Sequence, residues 1–486
     1  MDTTSEAHSW AQQTFGHVAF PDRRNVELAV RLAAGLVERP FAQVSKAFPD
    51  EPMRQAVYDL LEHPRCHASA LVEAAAIATA KAASVYPLAL VALDGASLTL
   101  RDPHDLRGTG SVGRRSKGAR GVQIMDAVGL TPDGAMLGLA GLIGWARSHQ
   151  RAKQPSRKRP VAERELVYWL DLRAQVRAAF EKHAPNTRRV LVHDSGADAW
   201  PVLLDVLAHD PCPNEVSVIR AAQNRSAHAP ETPDQPDHLW PLLARARQKQ
   251  RRWVDLPAGH GLPARCVQLE LRTRLVTLTL TLTPSSQQRE VTLRAVYVRQ
   301  VGRVPAGEER LEMMLLTDSL ARTLKASWKV LEWYLLRWRV EDQHKAWKKA
   351  GANIEDLRLR RPAAMAKWMV WHAAVAARAL ALVHQARDPA RQDEPAASTF
   401  SAHELEALRL VRARYGRTTP ATLTVQQAVA LVASLGGYDR RPDRRFGPMV
   451  VQRGLEQILI VAAMLDVQAA EAQARERPKL RKIAKN

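Results

Sequence analysis

Apolar positions recur every three or four residues over Asn25–Leu36 (NVELAVRLAAGL) and again over Pro52–Leu61, which predicts two short helices near the N-terminus. An Ala-rich helix over residues 71–86 stops before Pro87. The pattern then changes. A short apolar run, Leu88–Leu93, reads as a strand that ends in Asp94, and further strands fall at Gly121–Leu130 and Met136–Ile143. Val161–His183 returns to helical spacing. Arg189–His193 is another short strand, and it too ends in an aspartate, Asp194. Strands alternating with helices predict an α/β layer around a buried sheet.

Residues 224–240 are rich in Pro and Asp and read as a long loop. Cys266–Gln300 then alternates apolar and polar for most of its length, with a turn at Pro284–Gln288. Period two predicts an antiparallel hairpin or meander, and an all-β stretch inside an α/β chain predicts an inserted subdomain. From Leu320 the spacing is helical again, and a loop at Arg387–Ser398 sets off a C-terminal helical region. Three parts are expected: a helical region 1–70, an α/β core 71–370 with its β-rich insertion at about 215–318, and a helical region 371–486.

Charge narrows the possible partners. The 486 residues carry 71 Lys and Arg against 50 Asp and Glu, a formal net charge of +21. An excess of that size favours a polyanion, nucleic acid first. Arg23, Arg24, Arg31, Arg54 and Arg65 place part of it in the first helices. That region is either a small DNA-recognition module or a helical cap with a solvated basic face, and charge alone leaves both open. The three cysteines, Cys66, Cys212 and Cys266, form no C-x-x-C pair, so neither a disulfide framework nor a thiolate zinc site is expected. Charges and Pro87 interrupt the apolar stretches Ala70–Leu93 and Ala363–Val383, and the N-terminus lacks a signal-peptide pattern. A soluble intracellular protein is expected.

Carboxylates at strand ends can converge on one site, because ligands of open α/β sheets bind there. Asp94 and Asp194 are such a pair, although strand-end aspartates also serve as ordinary caps. The segment Leu331–Lys349 adds a third element. Read as one helix at ~100° per residue, it puts Tyr334, Arg337, Glu341, Lys345 and Lys348 within an arc of about 80°. Leu336, Trp347, Val340 and Trp333 occupy the arc beside it. One face packs, and the next presents a single acid among three cations and a phenol. A surface helix with i, i+4 ion pairs would look similar. A carboxylate that holds a divalent metal, flanked by Arg, Lys and Tyr that bind phosphate, suits phosphodiester cleavage.

The run YLLRWRVEDQHKAWK matches, without a gap, the signature Tyr-x-x-Arg-x-x-x-Glu-x-x-x-x-x-x-Lys at Tyr334, Arg337, Glu341 and Lys348. In this the chain resembles the DDE transposases of bacterial cut-and-paste insertion sequences, in particular the hairpin-forming group. ALDGASL around Asp94 and VLVHDSGAD around Asp194 match in order and spacing, and the β-rich insertion falls where this group places one. The resemblance implies an RNase H-like catalytic core with Asp94, Asp194 and Glu341 as the triad that binds two divalent ions, Mg²⁺ or Mn²⁺. It implies that Tyr334, Arg337 and Lys348 grip phosphates near the element's end, with Arg220 beside the cleaved end. Region 1–70 would bind DNA, and the C-terminal helices would form a homodimer on paired ends. Water would cut one strand, the freed 3′-OH would form a hairpin, and the reopened end would join target DNA. A place in the bacterial cytoplasm, at the nucleoid, follows.

Some positions depart from that pattern. Met313 stands where the best-known member of the group places a tryptophan that holds a flipped base, and methionine stacks poorly. Asp59, Glu62 and Glu27 stand where basic residues are expected on the DNA face. Two rivals follow: a catalytically inactive DNA-binding inhibitor of transposition, and an RNase H-like nuclease that cuts without joining. Asp126, Asp198 and Asp342 are spare acids near the triad. His344 is expected to hydrogen-bond at the edge of the site, and His193 to point to the opposite side of its strand.

Overall fold

The computed structural model describes residues 6–102, 107–113, 118–148, 155–208, 214–256, 265–304, 309–319, 323–349, 352–388, 391–439 and 446–483. Cys212 lies outside them. The chain opens with α1 (Glu6–Phe15), α2 (Arg23–Glu38), α3 (Val44–Ala47), α4 (Glu51–Glu62) and α5 (Ala68–Ala83). The two periodic segments become α2 and α4, each extended by its cap. Asp22 accepts the Arg24 amide at 2.9 Å, and Asp50 accepts that of Met53 at 3.0 Å, with Pro52 in the first turn. Each helix buries the stripe its spacing predicts: Ala29, Val30, Leu32, Ala33, Leu36 and Val37 on α2, and Val57, Leu60 and Leu61 on α4.

The sheet follows with β1 (Leu88–Thr99), β2 (Gly110–Ser111), β3 (Arg120–Leu130), β4 (Met136–Trp145), α6 (Val167–His183), β5 (Arg188–His193), α7 (Trp200–Ala208) and β6 (Glu215–Arg220). β1, β5 and β6 are mutually parallel neighbours, while β3 lies antiparallel beside β1 and β4 beside β3. β1 does not end at Asp94. It runs five residues further, because β3 pairs with it from Leu90↔Leu130 to Thr99↔Gly121 after β5 has left at Leu93↔His193.

The next elements are β7 (Ser226–His228), β8 (Asp237–His238), α8 (Leu239–Ala244), β9 (Lys249–Leu256), β10 (Arg265–Leu282), β11 (Gln287–Gln300) and β12 (Glu312–Thr317). The alternating stretch is the expected antiparallel hairpin, β10–β11, paired down to Leu282↔Gln287. It does not stand apart as a separate layer. β12 pairs antiparallel with β6 through Leu315↔Arg220, so the insertion continues the core sheet. Among the described residues the twelve strands form one sheet, which gives the backbone groups of β6 a partner on their open side. The expected loop 224–240 contains the short pair β7–β8.

The chain closes with α9 (Leu324–Leu335), α10 (Trp338–Lys349), α11 (Pro362–Gln385), α12 (Ala402–Arg414), α13 (Val425–Leu435) and α14 (Pro448–Ile483). The expected single helix over residues 331–349 is two, α9 and α10. At the break Leu336, Arg337, Arg339 and Val340 bond three residues back, a tight turn that re-aims Arg337. α11 is apolar almost all round and lies buried among α2, α4, α5, α10, α14 and β4. Its Lys367 donates to the carbonyls of Leu60 and His63, and its Trp368 to that of Ala42, which ties the N-terminal helices to the core. α13 and α14 cross in close contact at two glycines. A Cβ on Gly436 would lie 1.8 Å from the Val450 carbonyl oxygen, and one on Gly454 1.9 Å from that of Val432. Among the described residues no helix is long and apolar enough to cross a membrane.

Candidate active site

Strand register sets the site. The β1–β5 pairing ends at Leu93↔His193 and the β5–β6 pairing at His193↔Ile219. The next residue on each strand is Asp94, Asp194 and Arg220, so these three stand in one row along the carboxyl edge of the parallel strands. On its other side Asp94 is the register partner of Asp126 on β3. Directly paired residues share a face of the sheet, and Leu90, Ala92 and Leu98 put that face under α10 and α11. Ala89, Val91 and Leu93 alternate toward α6.

Asp94 is buried, and burial pushes its carboxyl up to about 6. The Arg337 guanidinium opposes that rise and the Asp194 carboxylate adds to it. The Asp94 Oδ1 accepts the Gly95 amide at 2.8 Å. Asp194 caps a single 3₁₀ turn, accepting the Gly196 amide at 2.7 Å. Glu341 sits in the first turn of α10 and faces the sheet edge, half-buried.

Arg337 joins two of these acids. Its Nη1 donates to Asp94 Oδ2 at 2.6 Å and its Nη2 to Glu341 Oε1 at 2.8 Å. Burial works against the charge of this guanidinium, and Asp94, Tyr334 and Glu341 more than offset it. Tyr334 is buried with its ring beneath Arg337, 5.9 Å from centroid to guanidinium carbon. Lys348 is half-buried, and burial lowers its pKa against the pull of Glu355 and Asp126. Lys345 is exposed and turned to Asp342 at 3.4 Å, so it does not join the cluster. Arg220 is exposed at the end of its strand.

The spare residues take supporting places. His344 makes the expected hydrogen bond beside the site, from deeper than its edge. It is buried, with Nε2 2.6 Å from Asp126 Oδ1, while Asp126 Oδ2 has no hydrogen-bond partner among the described residues. Asp198 accepts the amides of Ala222 and Gln223 and pairs with Arg225, so it organises the loop after Arg220. His193 does lie on the α6 face, beside Arg173 and Trp169, and burial pushes it down to about 3. Met313 is half-buried on β12 and packed against the core. Glu355 carries no mark in the sequence. It accepts the Thr99 amide at 2.8 Å and so ties the turn after α10 to the end of β1, across 256 residues that give no local signal.

Three carboxylates on separate elements are the donor chemistry of a hard divalent cation. Their arrangement is another matter. Among the described residues no three His, Cys, Asp or Glu side chains converge closely enough to hold a metal ion. The Arg337 guanidinium stands between Asp94 and Glu341, two of the three residues that would hold such an ion.

No protein-family model matches the chain. A solved structure of the piggyBac transposase synaptic complex with hairpin DNA aligns with 61% of this chain and 47% of that one, at 12% identity and a TM-score of 0.29. The chain thus spans about half the length of that neighbour, and an overlap so slight carries no argument about what the chain does.

Proposed function

We propose that the chain is a DNA transposase that cuts and rejoins phosphodiester bonds at Asp94, Asp194 and Glu341. One observation carries this: two aspartates end the pairing of adjacent parallel strands, and the facing helix brings Glu341 to within one guanidinium of Asp94. The strand set β4-β3-β1-β5-β6, with carboxylates at the ends of its parallel members, supports an RNase H-like core. The net charge of +21 supports a DNA partner. Region 1–70 would engage the element's end, and region 371–486 would pair two copies on DNA.

In this enzyme Arg337, Lys348 and Arg220 hold phosphate oxygens. Tyr334 seats the Arg337 guanidinium, and Lys345 adds an exposed cation further along α10. Arg337 presents a planar fork that matches two phosphate oxygens, which holds the scissile group in line for attack by water and then by the freed 3′-OH. Hairpin formation, reopening and joining to target would follow at the same carboxylates. Two divalent ions, Mg²⁺ or Mn²⁺, belong to this chemistry. The arrangement described does not receive them, since Arg337 spans two of their ligands.

The test compares the wild-type protein with Glu341→Gln on DNA carrying the ends of the element, in Mg²⁺ or Mn²⁺, with products resolved on denaturing gels. Hairpins and joined products from wild type alone support the transposase; cut ends without joining point to a nuclease. Identical behaviour of the two proteins favours the inhibitor of transposition, the alternative to which the neutralised carboxylates lend weight.

A further inference from the structure

We propose that the groove at the ends of β1, β3 and β4, one residue past Asp94 on the α6 side of the sheet, binds an unpaired nucleobase of the DNA strand that runs along the acid row. This rests on the DNA partner proposed above and adds the place where a base is held.

Strand register builds the groove. β5 leaves β1 at Leu93↔His193 while β3 stays paired as far as Thr99↔Gly121, so among the described residues no strand covers the other edge of β1 over Gly95 and Ser97. Asp94 belongs to the α10 face, so these two residues fall on the α6 face. Ser97, Gln123 and Trp145 stand opposite one another on β1, β3 and β4, and Gly95 and Met125 form the next row. Trp169 closes the groove from α6, and Gly196 closes it from the turn that Asp194 caps. The space is about 490 Å³, within the range that small-molecule sites occupy.

Its walls suit a base. Trp145 stacks on Tyr168 with ring centroids 4.1 Å apart and donates to Glu165 Oε1 at 3.1 Å, so its ring is fixed before a ligand arrives. Glu165 also accepts from Arg147 Nη2 at 2.7 Å. Burial pushes the Glu165 carboxyl up, but Arg147, Trp145 and Arg159 bring it below its ordinary value, so it stays ionised and keeps Trp145 in place. Two cations thus outnumber one acid at the mouth, which suits the phosphates on either side of an inserted base. Ser97 and Gln123 add a hydroxyl and an amide, which can both donate and accept. Aromatic rings beside such groups hold a base by its face and by its edge. Gly95 keeps the space open although the backbone does not need a glycine there. A Cβ on it would come no closer than 3.8 Å to the Ile124 carbonyl oxygen and 4.0 Å to Met125 Cε. A base paired within a duplex stays in its stack and cannot enter.

The experiment irradiates the protein with a short thymidine oligonucleotide that carries one 5-iodouracil, and mass spectrometry locates the adduct. Wild type, Gly95→Leu and Trp145→Ala are each tested with the oligonucleotide single-stranded and in a fully paired duplex. Fluorescence anisotropy of the labelled duplex measures DNA binding separately. Wild type is expected to form adducts at Trp145 or Trp169 with the single strand, and on the order of tenfold fewer with the duplex. Gly95→Leu, whose side chain fills the groove, should lose about tenfold of these adducts, the worth of one stacked base, at unchanged affinity for the duplex. Trp145→Ala should lower the adducts at Trp169 by a similar factor, and it carries the test if the leucine variant does not fold. If adducts are absent, form elsewhere, or form at Trp145 and Trp169 regardless of both substitutions, the base site is overturned while DNA binding stands. If wild type binds neither DNA, the DNA partner fails and the base site with it.

Discussion

His344 on α10 and Asp126 on β3 form a buried pair, Nε2 to Oδ1 at 2.6 Å, on the strand position directly opposite Asp94. The pair sits one helical turn from Glu341, so it fixes the face that α10 shows to the sheet. Burial disfavours the imidazolium, but the Asp126 carboxylate outweighs it and raises the His344 pKa above its ordinary value. A group whose folded pKa lies above its unfolded one stabilises fully below the unfolded pKa, about 6.5, and loses that contribution as pH rises through the folded value. His344→Ala is therefore expected to cost roughly 3 kcal/mol at pH 6, since it leaves a buried carboxylate unpaired. Urea unfolding of both proteins should show that gap shrinking by pH 9. A gap that does not change with pH would mean the pair is not ionic.

Asp94 titrates in the opposite sense from most paired carboxylates. Burial, with Asp194 beside it, pushes it up to about 6 despite Arg337. The folded state then binds the proton more tightly than the unfolded chain, whose aspartates titrate near 3.9. The stabilisation from protonating Asp94 is absent above about pH 6 and grows as pH falls toward 4. Asp94→Asn cannot titrate there, so other acid effects cancel in the difference between the two proteins. Between pH 7.5 and 4.5 the stability of wild type relative to Asp94→Asn should improve by about 2 kcal/mol, read from denaturant midpoints. The proposed DNA cleavage, which would need the ionised acid, should fall over the same range.

Much of this site is legible in the sequence, and the gaps have physical causes. The alternation of Cys266–Gln300 shows in β10–β11, but the buried face changes along them: Val267, Leu269 and Leu271 join one core, Val276, Leu278 and Leu280 the other, and β11 buries both faces from Leu293 to Val298. Asp94 and Asp194 stand out because apolar runs stop at them. That β1 continues past Asp94 is invisible, since only its pairing with β3 sustains it. The break between α9 and α10 has no Gly or Pro to announce it; Leu336 and Arg337 are good helix formers. The wheel that put Tyr334 on one arc with Glu341 fails there, and contact with Arg337 brings Tyr334 back to the cluster. The placing of the insertion within the core sheet depends on the edge of β6, which no window of sequence contains.

Asp198 is expected to matter for the loop after Arg220 more than for chemistry. Its Oδ2 accepts two consecutive amides, Ala222 at 2.8 Å and Gln223 at 3.0 Å, and its Oδ1 pairs with Arg225 at 2.8 Å. The carboxylate is fully buried and Arg225 nearly so, so Asp198→Ala leaves a desolvated cation and two amides unpaired. A stability loss of about 3 kcal/mol is expected, less for Asp198→Asn, which keeps one acceptor. Limited proteolysis should cut the variant between residues 221 and 225 first. Uncut, equally stable Asp198→Ala would show that the loop is held by its own packing.

The proposed dimer has a specific place to form. At ~100° per residue, Val451, Leu455, Ile458, Leu459 and Ala462 share one side of α14, and all are buried. Ile460, Met464 and Val467 fall on the opposite side and are 43%, 60% and 58% exposed. A helix with one stripe already packed inside its own chain and a second apolar stripe bare has room for one more partner. Related copies meeting about a two-fold axis would place stripe on stripe. Met464→Glu, at the centre of the bare stripe, should raise the dimer dissociation constant roughly thirtyfold, the effect of about 2 kcal/mol at a buried contact. The packed stripe is untouched, so the thermal stability of the monomer should not change. Light scattering across a concentration series, with and without DNA ends, reads both proteins. Wild type that stays monomeric in every condition would remove the dimer, and a Met464→Glu protein that dimerises like wild type would move it to another surface.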